Sequence, residues 1–178
     1  HRATMEIQID PMGLAGMNGV TVPGLVAAMR SALEAPEHAQ YLHWGATSHD
    51  IQDTAQSLRL RQILGLIEAR LRELLTALTD LAEAHADTPM AARTYGQYAT
   101  PTSFGAVVAN WGEPLLALRN DLPTLRAACL WVSLSGAAGT AAALGPKARE
   151  IRAALATALY LNDPHRTWHS DRTPILAL

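Results

Sequence analysis

The stretch LRQILGLIEARLRELLTALTDL, residues 60–81, decides the fold class of this chain. Its apolar side chains recur in alternating steps of four and three, at Leu60, Leu64, Ile67, Leu71, Leu74, Leu78 and Leu81. This spacing is typical of the seam of a long helix packed along other helices. Further apolar positions beside the seam indicate more than one neighbour. Extended from Ile51 to about His85, the pattern predicts a helix roughly 50 Å long.

Ala and Leu dominate the apolar residues, a composition that favours long helices in close contact, so we predict an all-α fold built as a bundle of long helices. We expect residues 93–101 to form a loop, with Thr100 and Pro101 starting the next helix. The other predicted helices cover residues 25–33, 104–118, 122–134 and 147–161. Residues 135–140, SGAAGT, are small enough to let a backbone or a ligand approach closely.

Charge and composition exclude several classes of function. The net charge is -2 and the arginines are scattered, so the basic patch that nucleic-acid binding needs is missing. No apolar run is long enough to cross a bilayer, and the first residues lack the apolar stretch of a signal peptide. We therefore expect no membrane partner and a cytoplasmic location. The single cysteine, Cys129, lies among apolar residues and is expected to be buried.

A first polar cluster, residues 43–50, brings two hydroxyl groups to the start of the long helix. Thr47 and Asp50 have the spacing of a capping box, which by itself would only finish the helix end. The alternative is that Thr47, Ser48 and the exposed backbone N–H groups bind a carboxylate, helped by the positive end of the helix dipole. Local sequence favours the capping interpretation.

Two further clusters lie later in the chain. Residues 93–101, RTYGQYATP, offer a guanidinium, a phenol and an amide on a connection between helices, where functional groups are often placed, although a plain connection would look similar. Residues 167–172 read TWHSDR. His165 and His169 have the spacing of a metal pair, but Pro164 disturbs the helix start and no third ligand is evident. We expect no metal.

Together, the three clusters resemble the aspartase/fumarase (fumarate lyase) superfamily, in the same order and over nearly the whole chain. GATSHDIQDT at 45–54 is similar to the first signature of that superfamily, and RTYGQ at 93–97 followed by TPTSFG is similar to the second. The segment SGAAGT stands at the matching distance. HWGATS at 43–48 and WHSDR at 168–172 resemble the carboxymuconate cycloisomerases more than the adenylosuccinate lyases.

The resemblance implies an enzyme that needs no cofactor and acts on a small polycarboxylate. Its expected reaction closes a carboxylate of 3-carboxy-cis,cis-muconate onto the diene of the same molecule to give carboxymuconolactone. Tyr95 stands where many lyases of the superfamily carry a general-acid His. Tyr95 and His169 are the catalytic candidates, although Tyr95 could equally serve in packing or hydrogen bonding. The expected substrate-binding side chains are His43, Thr47, Ser48, Arg93, Thr94, Gln97 and Arg172.

The resemblance also implies a homotetramer in which three subunits build each active site. Residues 1–40 are expected to be the end of an N-terminal region, and residues 41–178 a central helical-bundle domain. The third signature of the superfamily, a loop with a catalytic Ser followed by Met-Pro-x-Lys, has no match. We therefore expect the domain to be truncated before that loop and to lack the general base. The alternatives are an adenylosuccinate lyase-like enzyme that releases fumarate and a non-catalytic helical scaffold.

Overall fold

The computed structural model describes residues 19–33, 35–176 and 178, and it is predominantly helical. In chain order the elements are Thr21–Ala32 (α1), Pro36–Ala39 (α2), Ser48–Ala84 (α3), Pro89–Thr94 (β1), Gln97–Ser103 (β2), Phe104–Cys129 (α4), the 3₁₀ helix Ala142–Lys147, Ala148–Leu159 (α5) and Thr173–Leu176 (α6). The predicted all-α class is confirmed, with one two-stranded sheet added to it. None of the helices in this described part has the length and apolarity needed to span a bilayer.

The long helix predicted from its apolar seam is confirmed as α3, which has 37 residues. At its start, the Asp50 carboxylate accepts a hydrogen bond from the backbone N–H of Thr47 at 3.0 Å, which is the acidic half of a capping box. Along the seam Leu64 and Leu71 are buried, whereas Ile67 is 42% and Leu74 46% exposed. Part of the seam therefore offers apolar surface to a further partner.

Residues 93–101 belong to a β-hairpin, so the predicted loop is wrong. β1 and β2 pair antiparallel, from Pro89 opposite Ser103 to Thr94 opposite Gln97. Between them, Tyr95 and Gly96 have positive φ angles of 48° and 76°, as a two-residue hairpin turn requires. The strands are short and mostly exposed, and they lack the alternation of apolar and polar residues by which strands are recognised.

Helix α4 begins later than the sequence predicts, joins two helices that were predicted as separate, and ends at residue 129 and not at 134. The Ser103 hydroxyl, and not Thr100, caps its start, because Ser103 Oγ accepts a hydrogen bond from the N–H of Ala106 at 3.2 Å. The helix continues through two prolines and unites the predicted segments 104–118 and 122–134 up to residue 129. Cys129 is buried, as expected. The chain then becomes extended, and Trp131 forms an isolated bridge with Asn162.

The chain divides into two compact units. Among the described residues, the first unit comprises the part up to Arg59 together with Cys129–Leu178, and the second comprises Leu60–Ala128. The first unit contains the start of α3 and the segments around the small-residue stretch, and the second contains the hairpin. The predicted boundary at residue 40 stays a prediction.

Candidate active site

Asp50, in the first turn of α3, accepts hydrogen bonds that hold the segment 133–136 at the start of the helix. Its carboxylate is buried, and Oδ1 accepts hydrogen bonds from Ser133 Oγ and from the N–H of Ser135, both at 2.9 Å. Oδ2 accepts a further bond from the N–H of Gly136 at 2.9 Å. Together with the bond from Thr47, these donors compensate the buried charge. Asp50 therefore has a structural function that the capping spacing only partly indicated.

Gly136 shows why this segment consists of small residues. It has a positive φ of 70°, and a Cβ atom built on it would lie 3.0 Å from the carbonyl oxygen of Gly45. A larger residue would push the segment away from the loop that precedes α3. The close backbone approach expected for residues 135–140 is therefore confirmed at this position.

Buried hydroxyls on the next turns of α3 continue the attachment. Thr54 Oγ1 donates to the carbonyl of Ser133 at 3.2 Å and accepts from its N–H at 3.0 Å. Ser57 Oγ donates to the carbonyl of Trp131 at 2.7 Å. These bonds satisfy backbone groups of an extended buried segment. Sequence reasoning missed them, although polar residues at helical spacing on a long helix were a usable signal.

His43 lies just before α3 beside a cavity of about 460 Å³. The walls are mainly apolar and include Leu25 and Met29, while Asp50 and Ser133 add polar groups. His43 Nε2 is buried and has no hydrogen-bond partner among the described residues. A buried polar atom of this kind is able to bind a ligand or a water molecule.

The third cluster meets the start of α3 through a residue that the sequence analysis did not select. His49, next to Ser48 in the chain, packs edge-to-face against His169 with 5.0 Å between ring centroids. His169 Nδ1 is buried and has no hydrogen-bond partner within the described ranges. Thr47 and Ser48 occupy the half-buried first positions of the helix. The structure thus brings the first and third predicted clusters together.

Arg172 is held by Asp53, a second residue that the sequence analysis missed. Its two terminal nitrogens donate to the two carboxylate oxygens of Asp53 at 2.8 and 2.9 Å. The hydrogen bond to Asp53 raises the pKa of Arg172 above its ordinary value, so the guanidinium stays charged. A substrate carboxylate that binds Arg172 has to share or replace these bonds. Asp53 lies one turn after His49 on α3, and this spacing was the available signal.

The second cluster lies on the hairpin in the other compact unit. Arg93 donates to the carbonyl of Gly96 at 3.3 Å and its guanidinium lies 4.0 Å from the ring centroid of Tyr98. Tyr95, at the turn, is 103% exposed. Tyr95 therefore does not pack within the described part of the chain, and its role as a proton donor stays a prediction. Thr94 and Gln97 face each other across the turn as the last paired residues of the strands.

The carboxylates in and near the third cluster form ion pairs with arginines. Hydrogen bonds from Thr173 and Arg166 lower the pKa of Asp171 to about 2. Asp163 Oδ1 accepts from Arg152 Nε at 2.6 Å. Burial raises the pKa of Asp163, but the hydrogen bonds from Arg152 and from the backbone of His165 outweigh it, and the pKa is lowered. Among the described residues, no three acidic, His or Cys side chains are arranged to hold a metal ion.

Comparison with known proteins identifies the family to which these clusters belong. A family model described as lyase matches residues 12–173. The chain belongs to the fumarate lyase superfamily. One relative in this superfamily is the 3-carboxy-cis,cis-muconate cycloisomerase of Pseudomonas aeruginosa, to which the chain is 41% identical over 168 residues. The matched region covers 92% of this chain and 37% of that protein. The adenylosuccinate lyase of Pyrococcus abyssi is 43% identical over 115 residues, covering 65% of this chain and 26% of that protein.

Solved structures of the fumarate lyase superfamily share the fold. The 3-carboxy-cis,cis-muconate lactonizing enzyme from Pseudomonas putida matches with a TM-score of 0.89 and 38% identity, over 96% of this chain and 40% of that one. A fumarate lyase from Mesorhizobium matches with a TM-score of 0.86 and 38% identity, over 94% and 40%. The chain therefore spans about two fifths of the length of these structures.

Proposed function

We propose that this protein is a cycloisomerase that converts 3-carboxy-cis,cis-muconate into carboxymuconolactone. The observation that carries this proposal is the similarity to the Pseudomonas aeruginosa cycloisomerase, at 41% identity over 92% of the chain. A second cycloisomerase, from Pseudomonas putida, is 44% identical over 137 residues. The match to the lyase family covers residues 12–173 and so includes the start of α3 and the third cluster, which meet in the structure.

The start of α3 supports the binding of an anionic substrate. The helix has 37 residues, and the N–H groups of its first turn carry the positive end of its dipole. We assign one substrate carboxylate to Thr47, Ser48 and these N–H groups. His43, whose buried Nε2 has no partner in the described part of the chain, is assigned to the same carboxylate. His169, whose Nδ1 is likewise buried and unpartnered there, is assigned with Arg172 to the far side of the site.

The hairpin supplies the other proposed binding groups. In the proposed homotetramer, Arg93, Thr94 and Gln97 come from a neighbouring subunit and bind the remaining carboxylates, and Arg172 adds positive charge from the third cluster. Exposed hydroxyl, amide and guanidinium groups on a rigid hairpin suit this task, since charge-assisted hydrogen bonds strengthen when water is excluded. The half-exposed seam of α3 supports such an assembly, and light scattering on the full-length protein tests for four subunits. A cytoplasmic location stays a prediction.

The reaction needs one new C–O bond and one proton transfer. An oxygen of one substrate carboxylate adds to a carbon of the diene, and the carbon next to another carboxylate takes up a proton. Hydrogen bonds to that carboxylate stabilise the negative charge that develops on it. His169 and Tyr95 are the proposed proton donors. The His169 ring contacts the start of α3, whereas the Tyr95 side chain is fully exposed, and this favours His169.

A second candidate is an adenylosuccinate lyase-like enzyme, favoured by the 43% identity to the Pyrococcus abyssi protein. Two assays of the full-length protein separate the candidates. Loss of the diene absorbance of 3-carboxy-cis,cis-muconate, with the lactone identified by NMR, supports the cycloisomerase. Release of fumarate from adenylosuccinate without lactone formation supports the alternative. Inactivity in both assays is the outcome expected for a helical scaffold without turnover.

A further inference from the structure

Two contacts join the first turns of α3 to residues 168–172. The His49 and His169 rings meet with 5.0 Å between centroids, and Arg172 donates two hydrogen bonds to Asp53 at 2.8 and 2.9 Å. His49 and Asp53 are four residues apart on one face of the helix, and their partners are three residues apart on the facing segment. The two contacts therefore lie next to each other and join the same two segments of the chain.

The Asp53–Arg172 ion pair is the stronger of the two contacts. The Asp53 side chain is 5% exposed, so its charge has to be compensated within the protein. A bidentate guanidinium compensates it in a fixed geometry, because both oxygens and both terminal nitrogens are engaged. An edge-to-face contact of two rings is weaker than this ion pair and restricts the movement of the two rings less. The position of the imidazole pair therefore depends on the ion pair beside it.

Trp168 anchors the other side of His169. It is 1% exposed, and its Nε1–H donates to the carbonyl of Val132 at 2.9 Å. The Arg172 guanidinium lies 5.3 Å from the centroid of the Trp168 ring. His169 stands directly after this buried residue, and its Nδ1 has no hydrogen-bond partner in the described ranges. The anchored neighbours of His169 therefore set where its ring lies.

We propose that Asp53 is a positioning residue for His169 and acts through Arg172. The proposal rests on the proposed function, in which His169 transfers a proton to the bound polycarboxylate. A misplacement of about 1 Å is enough to lower turnover by roughly a hundredfold. The hydroxyls and N–H groups at the start of α3 bind substrate without the ion pair, and Arg172 keeps its positive charge for the substrate when Asp53 is lost. Loss of Asp53 is therefore expected to lower kcat much more than it raises KM.

The first experiment compares kcat and KM of the full-length wild type with those of Asp53→Asn, Arg172→Lys and Asp163→Asn. Asp163 is a matched control, because it is also a shielded carboxylate that pairs with an arginine, Arg152, but it joins the loop after α5 to α5 itself and not to α3. We expect Asp53→Asn to lower kcat at least about tenfold with little change in KM. Arg172→Lys keeps the charge and is expected to lose less. Asp163→Asn is expected to keep the wild-type kcat.

The second experiment measures the position of His169 without any substrate. Diethyl pyrocarbonate modifies accessible imidazoles, and peptide mass mapping gives the modification rate of His169 alone. We expect a rate several-fold higher in Asp53→Asn than in Asp163→Asn or the wild type. Equal rates in the three proteins would overturn the proposal. An unchanged kcat in Asp53→Asn would also overturn it.

The two experiments separate this proposal from the proposed function. A wild type that leaves 3-carboxy-cis,cis-muconate unchanged refutes the cycloisomerase assignment, whereas the modification rates still decide whether Asp53 positions His169. If Asp53→Asn does not fold, Arg172→Lys provides both measurements. A rate of His169 modification in Arg172→Lys equal to that of the wild type then counts against the ion pair as the positioning device.

Discussion

Replacing Asp50 by Ala is expected to destabilise the protein strongly, because one buried carboxylate holds four hydrogen-bond donors. Three of the donors belong to the segment 133–136, at 2.9 Å each, and the fourth is the N–H of Thr47 at 3.0 Å. Each buried donor that loses its partner costs about 1 to 3 kcal/mol. Ser133 and Ser135 are buried in the native protein, whereas Gly136 and Thr47 are half-buried.

If all three donors of the segment were fully buried, the sum would be about 3 to 9 kcal/mol, and the half-buried N–H of Gly136 lowers it. The cavity beside Asp50 has about 460 Å³ and could admit water to some of them, which favours the lower part of that range. We therefore expect Asp50→Ala to lower the free energy of unfolding by about 3 to 5 kcal/mol, the size of effect seen when one partner of a buried charged network is removed. A loss of this size is a large fraction of the stability of an ordinary domain.

The assay is urea denaturation of the full-length protein at a fixed concentration, since the midpoint of an oligomer depends on concentration. Hydrogen exchange of the peptide covering residues 133–136 adds a local measurement. Asp80→Ala is the matched control, because Asp80 is an exposed carboxylate on the same helix. We expect the control to stay within about 0.5 kcal/mol of wild type. A loss below about 1 kcal/mol for Asp50→Ala, with unchanged exchange at 133–136, would show that the network does not hold the segment.

Three further predictions concern binding, backbone conformation and pH. Ser48→Ala is expected to weaken binding of the substrate carboxylate by about 1 to 3 kcal/mol, measured as kcat/KM, and unchanged kinetics would remove Ser48 from the site. Gly136→Ala is expected to lower the free energy of unfolding by about 1 to 2 kcal/mol, because Gly136 has a positive φ of 70°. Gly65→Ala, in the interior of α3 with open space around the added Cβ, is expected to be neutral or stabilising. Thermal unfolding that ranks the two variants in the opposite order contradicts this. Because the folded-state pKa of Asp171 is about 2 and its ordinary value is 3.8, this group stabilises the fold above pH 3.8 and loses that contribution as the pH falls toward 2. In Asp171→Asn the stability should therefore depend less steeply on pH in this window, and an acid-unfolding curve with the wild-type slope would contradict the assignment.

Local pattern was sufficient for the long helix of this fold. The step of four and three along the seam repeats over residues 60–81, and it predicts α3 because it is a property of neighbouring turns of one helix. The same holds for Asp50, whose spacing from Thr47 places its carboxylate near the N–H at the helix start. The hairpin was not predicted, because its strands are exposed and show no apolar alternation. Its turn at Tyr95 and Gly96 has the positive φ angles of a hairpin.

By itself, the sequence determined the long helix, its capped start and the three polar clusters, because each depends on residues within a few turns of one another. Tertiary structure alone decided which of these groups meet. His49 contacts His169 across 120 positions, and Asp53 pairs with Arg172 across 119. The residues between them form most of α3, the hairpin and α4. No periodicity in that intervening sequence predicts that residues 168–172 come back to the start of α3. The contacts arise because buried carboxylates and backbone donors must find partners when the chain packs, and the nearest available partners are distant in sequence.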